Sequence, residues 1–275
     1  MAEIILQTKD LGYRYGSGKP ALEHVNVRIE AGEKIAIVGS NGAGKSTFFL
    51  NLNGVLTPEA GEISYRGTVI HKKNLKNLRK NIGIVFQDPD NQMIASTVWA
   101  EVAFGPMNLL LKREEVQERV EEALDYMNLA EYASRPPHYL SGGEKKRVSI
   151  ADIIAMRSEL IIFDEPTASL DPLNAQMLEG VLKKLEEEGK TLLISTHDME
   201  FAYRWADRLL VFHNGTIVAD GTPREVFLQE EILQQTNLKK PILMQVYEIM
   251  KAHGITGSME GEYPRTPEEL EENWK

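Results

Sequence analysis

A glycine-rich loop at residues 39–47 constrains the fold more than any other part of the chain. It reads Gly-Ser-Asn-Gly-Ala-Gly-Lys-Ser-Thr, which has the spacing of a phosphate-binding loop. The apolar run at 34–38 predicts a strand before the loop. Apolar residues at 48–52 predict a helix packed on a sheet after it. Strand, loop and helix in this order predict a parallel α/β core.

The residue types in the loop suit a bound phosphate chain. Glycines let backbone N–H groups approach the phosphates, and the following helix adds positive charge at its N-terminus. We expect Lys45 to reach the β- and γ-phosphates and the Ser46 hydroxyl to ligate Mg²⁺. A glycine turn without a ligand is the alternative, which the complete pattern disfavours. The expected nucleotide-binding residues of the loop are Gly39, Ser40, Asn41, Gly42, Ala43, Gly44, Lys45, Ser46 and Thr47.

Composition narrows the class of protein and its partners. The chain has 275 residues, 42% hydrophobic and 26% charged, which is typical of one large or two modest globular domains. The net charge of −10 does not favour nucleic acid as a partner. Absence of cysteine excludes disulfides and thiolate metal sites. We expect neither a transmembrane helix nor a signal peptide, and nucleotide use predicts an intracellular location.

Two adjacent carboxylates form a second candidate site. Asp164 and Glu165 follow a fully apolar run at 160–163 that predicts a buried parallel strand. Asp164, at the carboxyl end of a strand, can hold Mg²⁺ directly or through water. Glu165 can orient and deprotonate an attacking water. A solvated acidic turn is the alternative.

The remaining pattern predicts three further regions. Residues 1–90 are rich in short strands, and residues 112–128 have helical period with an apolar stripe at Val116, Val120, Leu124 and Met127. A mostly helical block therefore interrupts the core at about 90–158. A helix should begin at Asp171 and Pro172 and end at Gly189. Its predicted inner face consists of Leu173, Met177, Val181 and Leu185.

The tail after residue 222 predicts a helical appendage. Thr222-Pro223-Arg224-Glu225 and Thr266-Pro267-Glu268-Glu269 both fit a capping box with proline at the first helical position. We predict one domain at 1–225 and a helical extension at 226–275.

A second anion-binding loop precedes another predicted helix. In Leu140-Ser141-Gly142-Gly143-Glu144, a hydroxyl and bare backbone N–H groups stand at a helix N-terminus. Alone, this motif is weak evidence. Two such sites far apart in the sequence can serve one nucleotide only if the fold or a second subunit brings them together.

These motifs occur together in a recognisable order and spacing. They are 39–47, Gln87, 140–144, Asp164 with Glu165, Ser169-Leu170-Asp171 and His197. Over roughly residues 3–225, the chain resembles the ATP-binding cassette (ABC) ATPases. The resemblance implies a P-loop core with a parallel sheet, an N-terminal antiparallel β subdomain and an inserted helical subdomain. It also implies that the chain binds ATP and Mg²⁺.

The family implies a role for each matching position. Tyr15 matches the aromatic residue that stacks on adenine, with Tyr13 as the alternative. Gln87 matches the residue that senses Mg²⁺ and the γ-phosphate, and His197 matches the histidine that contacts the γ-phosphate. The implied catalytic residues are Glu165, His197, Lys45 and Gln87, and the implied metal ligands are Ser46, Gln87 and Asp164.

The family also implies a second ATPase subunit, either an identical or a related chain. In its head-to-tail dimer, the loop at 141–144 of one subunit closes over ATP held by Lys45 of the other. Asp171 matches the residue that links the two active sites. The residues implied to bind ATP across the dimer are Ser141, Gly142, Gly143 and Glu144.

A narrower resemblance involves the stretches at 86–92 and 102–106. They look like the energy-coupling-factor importers, with cobalt or nickel systems ahead of vitamin systems. This branch implies integral-membrane partners, a peripheral location on the cytoplasmic face of the membrane and no direct solute binding. A non-transport ABC ATPase is the alternative. Only 54 positions separate Gln87 from Ser141, which argues against the long coiled-coil insertions of repair and chromosome ATPases.

Two positions depart from the common family pattern. Glu144 stands where glutamine is frequent. Asp152 lies inside a predicted helix where small apolar residues are usual, and burial of an unpaired charge is costly. We therefore expect Asp152 to be exposed or paired with a nearby base.

Overall fold

A computed structural model describes residues 3–168, 171–255 and 263–272. Ser169 and Leu170, which belong to the predicted motif set, lie outside the described residues. The strands are β1 (Ile4–Arg14), β2 (Pro20–Glu30), β3 (Lys34–Val38), β4 (Ala60–Tyr65), β5 (Thr68–Val69), β6 (Ile82–Val85), β7 (Leu160–Asp164), β8 (Thr191–Ser195), β9 (Arg208–His213) and β10 (Thr216–Gly221).

Helices surround these strands and follow them at the C-terminal end. They are α1 (Lys45–Leu52), α2 (Leu75–Asn81), α3 (Val98–Asn108), α4 (Arg113–Tyr126), α5 (Gly142–Met156), α6 (Pro172–Glu187), α7 (Met199–Trp205), α8 (Pro223–Phe227), α9 (Glu230–Thr236), α10 (Ile242–Ala252) and α11 (Pro267–Glu272). Short 3₁₀ turns lie at Pro89–Asn91, Ala130–Tyr132 and Pro137–Tyr139.

The core sheet has the strand order β10-β9-β3-β8-β7-β6. Strands β9, β3, β8, β7 and β6 are parallel, and β10 closes one edge as an antiparallel strand. Every residue of β7 and β8 is buried, as expected for parallel strands covered on both faces. A second, antiparallel sheet of order β2-β1-β4-β5 is built from the N-terminal strands. The predicted α/β class and antiparallel N-terminal subdomain are therefore confirmed.

Helices α3, α4 and α5 form the predicted inserted helical layer. The predicted stripe on α4 is confirmed, since Val116, Val120, Leu124 and Met127 are all buried in one apolar cluster. The same cluster includes Val85 of β6 and Phe163 of β7, so this layer packs directly on the core sheet. Movement of the helical layer can therefore reach the strands that carry the predicted catalytic residues.

Helix α6 begins and ends as predicted, but its predicted inner face is partly wrong. Asp171 caps the helix by accepting a hydrogen bond from the N–H of Asn174, and Gly189 follows its end with a positive φ. Leu173 is 76% exposed, whereas Leu178 and Leu182 are buried. The face that packs on the sheet follows the 3.6-residue period from Leu178 onward, and Leu173 in the first turn points away from it.

The C-terminal helices share an apolar cluster with the core. Phe227, Leu233 and Met244 pack with Ala202 of α7 and Leu209 of β9. The division at residue 225 stays a prediction, and α8 straddles it. Among the described helices, none is both long and apolar enough to cross a membrane.

The two predicted capping boxes in the tail differ. Thr222 and Glu225 form a complete box. At Thr266, the hydroxyl accepts the N–H of Glu269 as predicted. The Glu269 carboxylate instead accepts the N–H of Arg265, one residue before the cap.

Candidate functional site

The predicted catalytic residues meet at one edge of the core sheet. Strands β3, β8, β7 and β6 are neighbours and run parallel, so their carboxyl ends lie side by side. The phosphate loop follows β3, and Gln87 follows β6. Glu165 directly follows β7, and His197 follows β8. Ligands of open α/β sheets bind at this edge.

Two glycines give the phosphate loop its conformation. Gly39 has φ 146° and Gly44 has φ 109°, values that disfavour residues with a side chain. A Cβ at Gly39 would overlap the carbonyl oxygen of Phe212, and one at Gly44 would lie 2.7 Å from the carbonyl oxygen of Ala21. Gly44 is the N-cap of α1, so the loop leads into a helix N-terminus as predicted.

Lys45 is held inside the loop. Its ammonium donates hydrogen bonds to the carbonyls of Gly39 at 2.8 Å and Ser40 at 3.3 Å. Burial lowers the pKa of Lys45, and the nearby carboxylates of Glu165 and Asp164 oppose this effect. The side chain therefore places a cation beside the helix N-terminus that an anionic ligand would meet.

Glu165 is the centre of the site. Its Oε1 lies 2.5 Å from Nε2 of His197 and 3.8 Å from the ammonium of Lys45. Its Oε2 accepts a hydrogen bond from the Gln87 amide at 3.3 Å. Glu165 has φ 46°, a strained value for a residue with a side chain, of the kind found at functional sites. All four predicted catalytic residues are thus brought together around one carboxylate.

Ser195 is a site residue that the sequence analysis missed. Its hydroxyl donates to Oδ1 of Asp164 at 2.6 Å and accepts the backbone N–H of Glu165 at 2.8 Å. One hydroxyl therefore fixes both acidic residues, and its hydrogen bond to the backbone holds Glu165 in its strained conformation. The only signal in the sequence is that Ser195 is a polar residue at the end of an apolar strand.

Tyr15 lies near the phosphate loop. Its hydroxyl is 3.3 Å from Oγ1 of Thr47, and the residue is 53% exposed. Tyr13 packs edge-on against Tyr15 and against the apolar cluster of the antiparallel sheet. An exposed aromatic ring beside the loop suits stacking on a base, so Tyr15 stays our candidate.

The predicted Mg²⁺ ligands supply oxygen donors, which this cation prefers. Ser46 is exposed at the start of α1, and Asp164 is buried with Ser195 orienting its carboxylate. The amide oxygen of Gln87 is the third candidate donor. These groups fit a cation that also takes ligands from phosphate and water.

The second glycine loop has a structure of its own. Ser141 and Glu144 form a complete capping box on α5, which lowers the pKa of the Glu144 carboxyl. The carboxylate accepts both the Ser141 N–H and hydroxyl at 2.7 Å, a role that glutamine can also fill. Within the described residues, neither Ser141 nor Glu144 hydrogen-bonds to residues 39–47. Within one chain, the described hydrogen bonds therefore do not link its two anion-binding loops.

Asp152 is neither exposed nor paired with a base, so that prediction is wrong. The residue is half-buried on α5, and its Oδ1 is buried without a hydrogen-bond partner. Burial raises the pKa of Asp152 well above its ordinary value, and the buried carboxylate of Glu101 on α3 raises it further. Glu101 is itself engaged, since it accepts the N–H groups of Ile94 and Ala95.

Known proteins resemble the chain over nearly all its length. EcfA, an energy-coupling factor transporter ATP-binding protein of Methanocaldococcus jannaschii, is 46% identical over 248 residues, which cover 90% of this chain and 89% of that protein. The EcfA2 protein of Methanospirillum hungatei is 47% identical over 266 residues. That match covers 96% of this chain, which spans only 66% of the Methanospirillum protein.

A solved structure and a family model agree with this likeness. The CbiO1 structure from Clostridium perfringens, described as part of the ABC transporter complex CbiONQ, has a TM-score of 0.74 and 38% identity. The match covers 90% of this chain and 99% of that one. A family model described as ABC transporter matches residues 22–168. The chain therefore belongs to the ATP-binding proteins of the ABC transporter family.

Proposed function

We propose that this protein hydrolyses ATP to power an importer of the energy-coupling-factor type. The observation that carries the proposal is the position of Glu165, which has His197, Lys45 and Gln87 around its carboxylate. A carboxylate beside a phosphate loop can accept a proton from water that attacks the γ-phosphate. The simplest test is to measure phosphate release from ATP by the purified chain.

Each residue at the sheet edge has a distinct task in this proposal. Lys45 balances the charge of the β- and γ-phosphates, and backbone N–H groups of 39–44 hold the phosphate chain. Glu165 orients water and takes its proton. His197 holds the Glu165 carboxylate and contacts the γ-phosphate. Bound Mg²⁺, with Ser46, Asp164 and Gln87 as its ligands, would neutralise charge that develops on the phosphates.

The complete site requires a second subunit in our proposal. Ser141, Gly142 and Gly143 offer a hydroxyl and backbone N–H groups at the start of α5. A second copy or a related chain, packed head to tail, would place this loop over the nucleotide. Neither loop alone excludes water from a bound ATP.

The helical layer has a surface suited to a membrane partner. The large apolar residues between 93 and 110 divide into two groups, because Val98 is buried in the core whereas five others are exposed. Trp99, Met107 and Leu110 line a groove of about 600 Å³ between α3 and α4. The exposed set is Ile94, Trp99, Phe104, Met107 and Leu110.

An exposed apolar surface of this kind marks an interface. We propose that a short helix of an integral-membrane subunit binds in the groove, by the helix-in-groove mode. Docking there would place the chain on the cytoplasmic face of the membrane.

For the solute, we propose cobalt or nickel, with a vitamin as the alternative. Overall likeness to the cobalt and nickel systems supports this choice, whereas the stretches at 86–92 and 102–106 indicate only the energy-coupling-factor type. We expect the membrane subunits to bind the solute, not this chain. Loss of cobalt, nickel or vitamin uptake on deletion of the gene would decide among them. Failure to co-purify with any membrane protein would favour a non-transport ATPase.

A further inference from the structure

Lys146 is a buried lysine near the start of α5. It is 4% exposed, and its ammonium donates hydrogen bonds to the main-chain carbonyls of Phe86 at 2.6 Å and Gln87 at 3.1 Å. Burial of an ammonium is costly unless it is hydrogen-bonded and its charge is balanced. The carboxylates of Asp164 and Asp88 provide favourable charge interactions. The chain therefore places a buried, hydrogen-bonded cation between α5 and the segment after β6.

The two ends of this contact belong to different parts of the proposed site. Lys146 follows Ser141 by five residues, which is about 7.5 Å along the helix. Gln87 donates its side-chain amide to Glu165 at 3.3 Å. Lys146 thus connects α5, which begins at the signature loop (residues 141–144), to Gln87. The side chain of Gln87 in turn contacts the carboxylate of Glu165 in the same subunit.

A neighbouring lysine makes a similar contact of a weaker kind. Lys145, whose side chain is 15% exposed, lies 2.6 Å from Asp90, whose side chain is 64% exposed. Water reaches the Asp90 carboxylate and screens the pair, which reduces its contribution. The carbonyls held by Lys146 are those of Phe86 and Gln87 themselves, whereas Asp90 lies three residues further on. Lys145 is therefore a matched control with the same residue type on the same helix.

We propose that Lys146 is a positioning residue. By clamping the carbonyls of Phe86 and Gln87, it makes Gln87 move together with the signature loop of the same subunit. This inference rests on the proposed ATPase function. In a dimer, each signature loop would contact ATP in the other site. Lys146 would then report the state of that second site to Gln87 and Glu165 of its own site.

The first test is a double-mutant cycle on ATP hydrolysis. Lys146→Met keeps the apolar stem but removes the donors, so kcat should fall about tenfold, as misplacement of a catalytic group causes, with KM within twofold. Lys146→Arg should recover at least half of kcat, and Lys145→Met should stay within twofold of wild type. In a Gln87→Ala background, Lys146→Met should change kcat less than twofold, because it acts through Gln87. The assay is run at pH 7, since burial lowers the pKa of Lys146 to about 8.

Several outcomes would overturn the role of Lys146. One is a kcat of Lys146→Met within twofold of wild type. Another is that Lys146→Met lowers kcat by the same factor in the wild-type and Gln87→Ala backgrounds. If Lys146→Met fails to fold, Lys146→Leu, which also lacks donors, replaces it in the cycle with the same expectations. Lack of hydrolysis by the wild-type chain would instead overturn the proposed function.

The second test does not depend on activity. Amide hydrogen exchange of residues 86–92, without nucleotide, should be at least threefold faster in Lys146→Met and unchanged in Lys145→Met. Exchange in α4 should be the same in all three proteins, which excludes general loosening. Unchanged exchange at 86–92 in Lys146→Met contradicts the clamp, whether or not the wild-type protein hydrolyses ATP.

Discussion

Nε2 of His197 lies 2.5 Å from Oε1 of Glu165, although the two residues follow different strands of the core sheet. The parallel pairing of β7 and β8 aligns Asp164 with Ser195, so Glu165, one residue after Asp164, lies near His197, two residues after Ser195. His197 can therefore hold the carboxylate in place while the carboxylate takes a proton.

Glu165→Gln should nearly abolish turnover while ATP still binds. The amide keeps the shape of the side chain but cannot accept a proton, and loss of a general base typically costs about 10²–10⁴-fold in rate. Phosphate release and ATP binding by calorimetry are the measurements. Normal hydrolysis by a folded Glu165→Gln variant would remove Glu165 from the mechanism.

Lys45→Ala should weaken both ATP binding and hydrolysis. The change removes a cation that is 6% exposed and lies beside the helix N-terminus. Calorimetry with ATP checks the affinity, and unchanged affinity would mean that the phosphates bind elsewhere. Lys190→Ala, away from the loop, is a control of the same residue type and should bind ATP as wild type does.

Two inactive variants should restore activity when they are mixed. Lys45→Ala damages the phosphate loop, and Ser141→Arg blocks the signature loop. Their heterodimer contains one composite site with both lesions and one with neither, so part of the activity should return. Each variant mixed with itself is the control.

Failure of this complementation, with mixed dimers demonstrated, would count against a shared site unless both sites must fire together. ATP occupancy measured in the same sample separates these two explanations.

Aspartate at Phe104 or Met107 should impair uptake without impairing basal hydrolysis. Both residues are exposed on α3, so a charge there disrupts docking and leaves the fold intact. Complex formation, solute uptake and ATPase activity of the isolated subunit are the readouts. Val55→Asp, at an exposed apolar residue outside the helical layer, is the control. Full uptake by both α3 variants would place the docking surface elsewhere.

Asp152→Asn should stabilise the protein at neutral pH. Because the folded pKa of Asp152 is raised, the unfolded chain loses this proton at a lower pH than the folded one. The contribution of Asp152 to stability is therefore greatest below the ordinary aspartate pKa of about 3.9 and falls as the pH rises towards the folded pKa.

Removing the charge should raise Tm at pH 8 by about 2–4 °C, corresponding to a gain on the order of 1 kcal/mol. The gain should shrink towards pH 4. Asp125→Asn, at an exposed aspartate of α4, is the control, and an equal gain at both pH values would contradict the assignment to ionisation.

Local sequence patterns determined much of this protein. The phosphate loop, the strand that precedes Glu165, the α4 stripe and the Ser141 and Thr222 caps all follow from neighbours within a few residues. Such features depend on backbone conformation and periodicity, which short stretches of sequence encode. The fold class follows from these patterns, and so does the meeting of the phosphate loop with the two carboxylates, because parallel strands end at a common edge. The roles of Gln87 and His197 followed only from the family resemblance.

Only the tertiary structure decided what depends on neighbours distant in the chain. Ser195 meets Asp164 because β8 pairs with β7 in one register, and no local pattern specifies that register. Lys146 reaches the carbonyls of Phe86 and Gln87 because α5 packs against the segment after β6. The local pattern predicts burial for Leu173 and exposure or pairing with a base for Asp152, and both predictions are wrong. Their exposure and burial depend on which surface each helix meets, and that is a property of packing between elements.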